Sequence, residues 1–360
     1  MTIALDATPL TVPTGGVPRY TLELARALAA RFPEDDYWLL SDQPFPFPPP
    51  PPNSIPPRNL RQGDRPRGAI ARKWWLWGLQ QEMTRRHVDL FHGTDFSVPY
   101  LPFRPSVMTL HDLSPWLDRA WQPDAARIRR RTPLLFRAGL ATMVITPSAA
   151  VRKAAIERFH LSPDRVVAIP LAASGHFHRV DAPAPSNPYL LFVGTLEPRK
   201  NIAHLLEAWR ELRKTHAVDL VLAGRTRADF APLPNEPGLR AMGPVLESSL
   251  PELYSAALAV VYPSLYEGFG LPVLEAMQCG ALVVASRDPA ILELTAGAAV
   301  HVDARDPREL SHALAAIAAA PEKFADLRDS ALARSREFSW QRTAERTREV
   351  YDAARRVFRR

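Results

Sequence analysis

The stretch YEGFGLPVLEAMQCG, residues 266–280, sets two carboxylates, Glu267 and Glu275, eight positions apart across a glycine-bearing turn that leads into a helix. Gly268 and Gly270 lack a Cβ, so a phosphate can approach their backbone, and Pro272 suits the first turn of the following helix. The free N–H groups of a helix start attract anions. Carboxylates instead accept hydrogen bonds from hydroxyls, so this pair fits polyols on either side of a phosphate. A nucleotide sugar meets both demands, with sugar on one side and ribose on the other. The plain alternative leaves one glutamate exposed and the other compensating the helix dipole.

A second loop carries the opposite charge. VGTLEPRKNIAHLLEAW, residues 193–209, places Arg199 and Lys200 directly before another helix. Two cations there oppose the helix dipole unless an anion lies between them. An exposed surface pair is the alternative. Together the two loops are able to neutralise a diphosphate without a metal ion.

Fewer groups with chemical potential occur earlier in the chain. Gly15 and Gly16 in PTGGVPRY fall between a strand and a helix, but lack both the GxGxxG spacing and the GK[ST] ending of phosphate loops. A tight turn is their structural reading. His111 closes the run SVMTLHD at a strand's carboxyl end, where open parallel sheets collect ligands. His92 and Asp95, in FHGTDFS, sit at a similar edge and are candidates to face an acceptor. The adjacent acids of PEDDY read as a solvated turn without DxD spacing. No His or Cys cluster has ligand spacing, so neither a catalytic metal nor a cofactor is expected.

Parallel strands with crossover helices must position these residues. Short β-branched runs (TIALDA, YWLLS, VDLFHG, SVMTLHD, TMVITPS, RVVAIPLA) alternate with helical segments, and a second series (YLLFVG, DLVLAG, LRAMG, LAVVYPS, ALVVAS, AAVHVD) follows. Between them ASGHFHRVDAPAPSNP reads as a linker. The expected division is a Rossmann-like domain over residues 1–172, a linker over 173–188 and a second such domain over 189–338. A capped amphipathic helix over 339–360 is expected to pack across both. The proline-rich segment 44–57 reads as a stiff loop. RPRGAIARKWWLWGLQQEM joins Arg65, Arg67, Arg72 and Lys73 to Trp74, Trp75 and Trp77, which fits either a membrane interface or a helix with buried tryptophans.

Composition sets the outer limits. A chain of 360 residues, 46% hydrophobic and 23% charged, suits two soluble α/β domains. The single cysteine, Cys279, forms no internal disulfide, and the N-terminus does not read as a secretory signal, so a cytoplasmic protein is expected. No window is long and apolar enough for a membrane span. A net charge of +7 favours anionic partners such as small-ligand phosphates, lipid headgroups or nucleic acid.

EGFGLPVLEAMQCG resembles the glutamate, seven residues, glutamate signature of retaining glycosyltransferases of family 4, and GTLEPRKN resembles their phosphate-binding loop. PTGGVPRY is similar to the family's N-terminal glycine loop and TLHDLSPW to its histidine segment, so the likeness covers most of the chain. The resemblance implies an α/β GT-B architecture with donor bound mainly to the second domain and acceptor to the first. It implies that Glu267 meets hydroxyls of the transferred sugar and Glu275 those of the ribose. Backbone amides of Gly268, Phe269, Gly270 and Leu271 then lie on the sugar and phosphate side. Arg199 and Lys200 pair with the diphosphate, Gly15 and Gly16 belong to the donor site with Gly16 approaching the diphosphate, and His111 touches the donor sugar. Many members carry an arginine directly after the loop glycine where this chain has Thr195, a donor-site position, so Arg199 takes more of that load.

The likeness of GTLEPRKN to mannosyl- and rhamnosyltransferases of polysaccharide assembly makes a guanosine diphosphate hexose the expected donor. The expected acceptor is a surface glycan or its lipid-linked saccharide precursor, with configuration retained by front-face attack and the departing phosphate taking the acceptor's proton. An anionic membrane surface is an expected partner. Two other readings compete: a noncatalytic nucleotide-sugar-binding or scaffold protein, and a nucleic-acid binder. The second draws on net charge and RIRRRTPLLFR but has no motif, so nucleic acid is not an expected partner.

Overall fold

The computed structural model describes residues 1–12, 15–47, 57–64, 73–183 and 185–358. Two compact units emerge. The first comprises Met1–Leu117, Gln122–Leu171 and Ser339–Arg360; the second comprises Asp118–Trp121 and Ala172–Phe338.

The first unit is built on seven parallel strands: β1 (Thr2–Asp6), β2 (Asp36–Leu40), β3 (Leu60–Gln62), β4 (Leu90–Gly93), β5 (Ser106–Thr109), β6 (Met143–Thr146) and β7 (Val166–Ala168). Helices α1 (Gly16–Arg31), α2 (Leu79–Arg85), α3 (Ser114–Leu117), α4 (Ala126–Arg137) and α5 (Ala149–Phe159) lie between them. The spatial order is β3-β2-β1-β4-β5-β6-β7, so the winding reverses between β1 and β4. Crevices at such a reversal receive ligands beyond the strand ends. Strands β4, β5 and β6 are buried throughout, which explains their near-continuous apolar sequences.

The second unit carries β8 (Tyr189–Val193), β9 (Asp219–Ala223), β10 (Leu239–Gly243), β11 (Ala259–Tyr262), β12 (Val283–Ser286) and β13 (Val300–Val302), parallel in the order β10-β9-β8-β11-β12-β13. Its helices are α6 (Ile202–Arg213), α7 (Leu250–Ala256), α8 (Leu271–Gln278), α9 (Pro289–Thr295), α10 (Pro307–Ala319) and α11 (Ala325–Ser335). The reversal falls between β8 and β11, which pair directly. The loops leaving these two strands therefore emerge side by side, and they are the cationic and the glutamate-bearing loops.

The last helix, α12 (Trp340–Phe358), is capped by Ser339, whose hydroxyl accepts from Arg342 N at 3.2 Å. It belongs to the first unit, where Thr343 donates to Pro170 O at 2.8 Å and Arg348 reaches Asp35 at 2.6 Å. Asp35 is only 2% exposed, so PEDDY is not simply the solvated turn read from sequence. The segment read as a linker is tied to the second unit: Gln278 donates to the carbonyls of Ser174 and Phe177, and Val180 N donates to Ser255. Trp74 is buried with Leu79, Met83 and Phe91, Trp75 meets Phe91 edge-on, and Trp77 is 50% exposed. Most of the proline-rich segment, with Arg65, Arg67 and Arg72, lies outside the described residues.

Candidate active site

The loop after β8 turns through the half-buried Thr195 into a short helical turn, Pro198–Lys200, and Asn201, at φ 58°, redirects the chain into α6. Arg199 and Lys200 are 8% and 7% exposed. That burial removes the surface-pair alternative, because a buried charge requires a partner. Lys200 Nζ donates to Glu267 Oε1 at 2.6 Å and to the Tyr262 hydroxyl at 2.7 Å. Arg199 donates to Glu267 Oε2 at 3.2 Å, Tyr266 O at 2.8 Å and Glu197 Oε1 at 2.9 Å. A backbone bond from Leu265 N to Arg199 O at 2.9 Å joins the two loops.

The second loop, after β11, is not left bare. Glu267, Gly268, Phe269, Gly270 and Leu271 are all buried, and the Phe269 ring meets Phe338 edge-on. The glycine at 270 has a packing cause: its φ is 102°, and an added Cβ would lie 2.5 Å from Ile291 Cδ1. Asp288 fixes the turn by accepting from Glu267 N at 3.2 Å while capping α9. Pro272 does occupy the first turn of α8.

The carboxylates differ in environment. Burial pushes the Glu267 carboxyl up, but the charges of Lys200 and Arg199 outweigh it and hold the group below the usual range. Burial and the neighbouring Arg199 lower the Lys200 ammonium, against the pull of Glu267. Glu275, on α8 and 2% exposed, accepts from the Tyr254 hydroxyl at 2.9 Å. The family resemblance assigns the cations to a diphosphate and Glu267 to sugar hydroxyls. In the structure all three share one neutralising cluster, because two loops on paired strands leave nearest-neighbour charges to compensate each other.

Sequence reading missed Tyr262, Tyr254, Glu197 and Asp288. Tyr262 is the last residue before the proline in LAVVYPS, and Glu197 stands inside GTLEPRK as an acid among cations, so a partial signal existed.

In the first unit Gly15, at φ 134°, precedes α1 and Gly16 opens it, both exposed at the carboxyl end of β1. His111 is half-buried two residues beyond β5, and its Nε2 donates to Thr94 O at 2.7 Å. Only a protonated nitrogen satisfies a carbonyl, so neutral His111 carries its lone pair on Nδ1. Burial lowers its pKa and favours that neutral form. His92 is a correction: it is fully buried, with Nδ1 on the Tyr351 hydroxyl at 2.7 Å and Nε2 on Thr109 at 2.8 Å. Desolvation takes its pKa down to about 3, so it is a neutral core group and faces no acceptor. Asp95 is half-buried two residues beyond the carboxyl end of β4, its pKa raised to about 6 by burial.

Two parallel α/β units with ligand-collecting reversals match solved glycosyltransferase folds. Sucrose-phosphate synthase from Thermosynechococcus elongatus superposes with a TM-score of 0.75 at 21% identity, covering 98% of both chains. HepE from Anabaena, solved in complex with UDP-glucose, gives 0.69 at 18% identity, over 98% of this chain and 100% of that one. The fold is the GT-B fold of glycosyltransferases. Residues 14–174 match Glycosyltransferase Family 4 and residues 187–320 match Glycosyl transferases group 1. The O-antigen chain mannosyltransferase B of Escherichia coli is 29% identical over 98% of this chain and 99% of that protein. The chain thus carries a family 4 and a group 1 glycosyltransferase domain, and it is a glycosyltransferase.

Proposed function

We propose that the protein moves a hexose, with mannose the first choice, from a nucleoside diphosphate sugar to a saccharide or lipid-linked saccharide of a surface glycan, retaining configuration. GDP-mannose is the proposed donor. The observation that carries this reading is the buried Glu267 bridged by Lys200 and Arg199 where β8 and β11 diverge. Supporting it, a full-length relative is named as an O-antigen chain mannosyltransferase.

The cluster lends itself to leaving-group stabilisation. Arg199 and Lys200 are held in place by fixed acceptors, so they need little reorganisation as charge grows on a departing diphosphate. Glu267 then turns its oxygens to sugar hydroxyls, and Glu275 serves the ribose. In this reading Gly15, Gly16, Thr195 and the amides of Gly268 to Leu271 line the phosphate and sugar, while neutral His111 presents its Nδ1 lone pair to a hydroxyl. The reaction proceeds without a metal or cofactor.

No helix among the described residues is long and apolar enough to cross a membrane. The proposed location is the cytoplasm, peripheral to the inner face of the membrane.

The test is a panel of nucleotide sugars offered to purified, folded protein with oligosaccharide acceptors, with and without a chelator. The proposal expects transfer from GDP-mannose, indifferent to the chelator, with the product's anomeric proton reporting retention. No binding or turnover of any donor overturns it. Donor binding without transfer gives the noncatalytic alternative.

A further inference from the structure

The segment Asp118–Trp121 belongs to the second unit although residues 122–171 separate it from the rest of that unit. Arg227 holds it there. One guanidinium nitrogen donates to Trp121 O at 2.6 Å and another to Ala120 O at 2.7 Å. The same guanidinium lies 3.7 Å from Glu197 and is oriented by Asp229. The Trp121 ring stacks on Tyr266, with centroids 6.0 Å apart and planes 14° from parallel.

These contacts close a circuit. Arg199 bonds Glu197 and the Tyr266 carbonyl; Glu197 pairs with Arg227; Arg227 grips the Trp121 backbone; the Trp121 ring lies on Tyr266. Arg227 thus reaches Arg199 by two routes, a shared carboxylate and a stacked ring. Tyr266 immediately precedes Glu267, so a change in its peptide plane moves both the acceptor of Arg199 and the carboxylate itself.

We infer that Trp121 is a positioning residue, a strap that fixes the Tyr266–Glu267 peptide and through it the aim of Arg199, with Arg227 as its clasp. The functional part rests on the proposed transferase reading. Fixing the guanidinium matters because a small displacement of a charge-stabilising group costs turnover out of proportion to its distance.

The experiment compares Trp121→Ala, Trp121→Phe, Arg227→Ala and the double alanine variant, reading kcat, KM for GDP-mannose and amide hydrogen exchange. Trp121→Ala is expected to lower kcat by about tenfold or more with a smaller change in KM. Trp121→Phe, which keeps a ring over Tyr266, recovers most of that loss. The double variant is expected to fall short of the product of the single effects, because both residues act through one circuit. Exchange at the Leu265 and Glu267 amides rises in Trp121→Ala with no substrate present. Should that variant not fold, Trp121→Leu and Arg227→Lys carry the same expectations.

Unchanged exchange at those amides overturns the strap whatever the activity, as do unchanged kcat and fully multiplicative effects. Raised exchange in an enzyme that turns over no nucleotide sugar supports the strap and defeats the transferase reading, so the two failures are distinct.

Discussion

Lys200 Nζ and Glu267 Oε1 lie 2.6 Å apart in a buried pair, although 67 positions separate them in the chain. Their meeting follows from topology: the loops that bear them leave the paired strands β8 and β11. Replacing Glu267 with Ala strips both Lys200 and Arg199 of a buried carboxylate. The expected cost is about 3–5 kcal/mol of stability together with loss of transfer. Glu267→Gln keeps the shape and should cost less. Chemical denaturation checks this, and an alanine variant as stable as the parent contradicts the pair.

Lys200→Ala and Glu275→Ala should separate turnover from binding. The lysine variant is expected to lower kcat by roughly 100-fold with modest change in nucleotide affinity. The Glu275 variant is expected to weaken nucleotide binding by about tenfold or more. Steady-state kinetics with calorimetric titration checks both, and the reverse pattern would exchange the two roles.

The alkaline limb of the pH profile should report Lys200. Its pKa is lowered by burial and by Arg199, so the folded protein loses this charge at lower pH than a free lysine does. Turnover should therefore fall as pH rises through that lowered value. Lys200→Arg stays charged and should move the limb upward. A limb that does not move in the arginine variant places the titration elsewhere.

Asp6 predicts a stability dependence of opposite sense to a salt-bridged carboxylate. Burial raises its pKa from 3.8 to about 7, with Asp95 adding to the rise and bonds from Thr8 and the charge of Arg131 opposing it. Between these values the folded chain binds more protons than the unfolded chain, so stability falls as pH climbs from about 4 to about 7. Asp6→Asn removes the ionisation while keeping an oxygen for Thr8 N, which donates to Asp6 at 3.0 Å. The variant should match the parent near pH 4 and exceed it by on the order of 3 kcal/mol at pH 8. Denaturant midpoints at the two pH values decide it, and equal midpoints at pH 8 contradict the burial argument.

Helix α4 predicts the proposed membrane contact. Arg127, Arg130 and Arg137 are exposed around Leu134, itself 60% exposed, and Thr132, Leu135 and Phe136 are buried on the opposite face. No Asp or Glu occurs from 125 to 156. Each such arginine contributes about 1 kcal/mol at an anionic lipid surface. The protein should float with vesicles containing anionic lipid and not with neutral ones, and Arg127→Glu with Arg130→Glu should abolish flotation. Retained flotation in that double variant moves the contact off α4.

The strands were legible because most are buried on both faces and carry unbroken apolar runs. β3 was not, since Leu60–Gln62 is a three-residue edge strand with two exposed polar positions. Both charged loops were placed correctly at strand ends, but their mutual neutralisation was hidden. Pairing of β8 with β11 is a tertiary fact that no local pattern encodes. Gly270 reads from sequence as room for a ligand's approach, and the structure adds a second cause that no local pattern encodes, Ile291 packed against it. His92 ends as a core residue because Tyr351, from the far end of the chain, supplies its Nδ1 partner.

The Glu267, Arg199 and Lys200 cluster is proposed to receive the donor's diphosphate and sugar. A crystal structure with GDP tests it most directly. Expected are β-phosphate oxygens within hydrogen-bond distance of the Arg199 guanidinium and Lys200 Nζ, and the ribose against Glu275. A nucleotide seated elsewhere, with the Lys200–Glu267 pair intact and both cations away from phosphate, contradicts it.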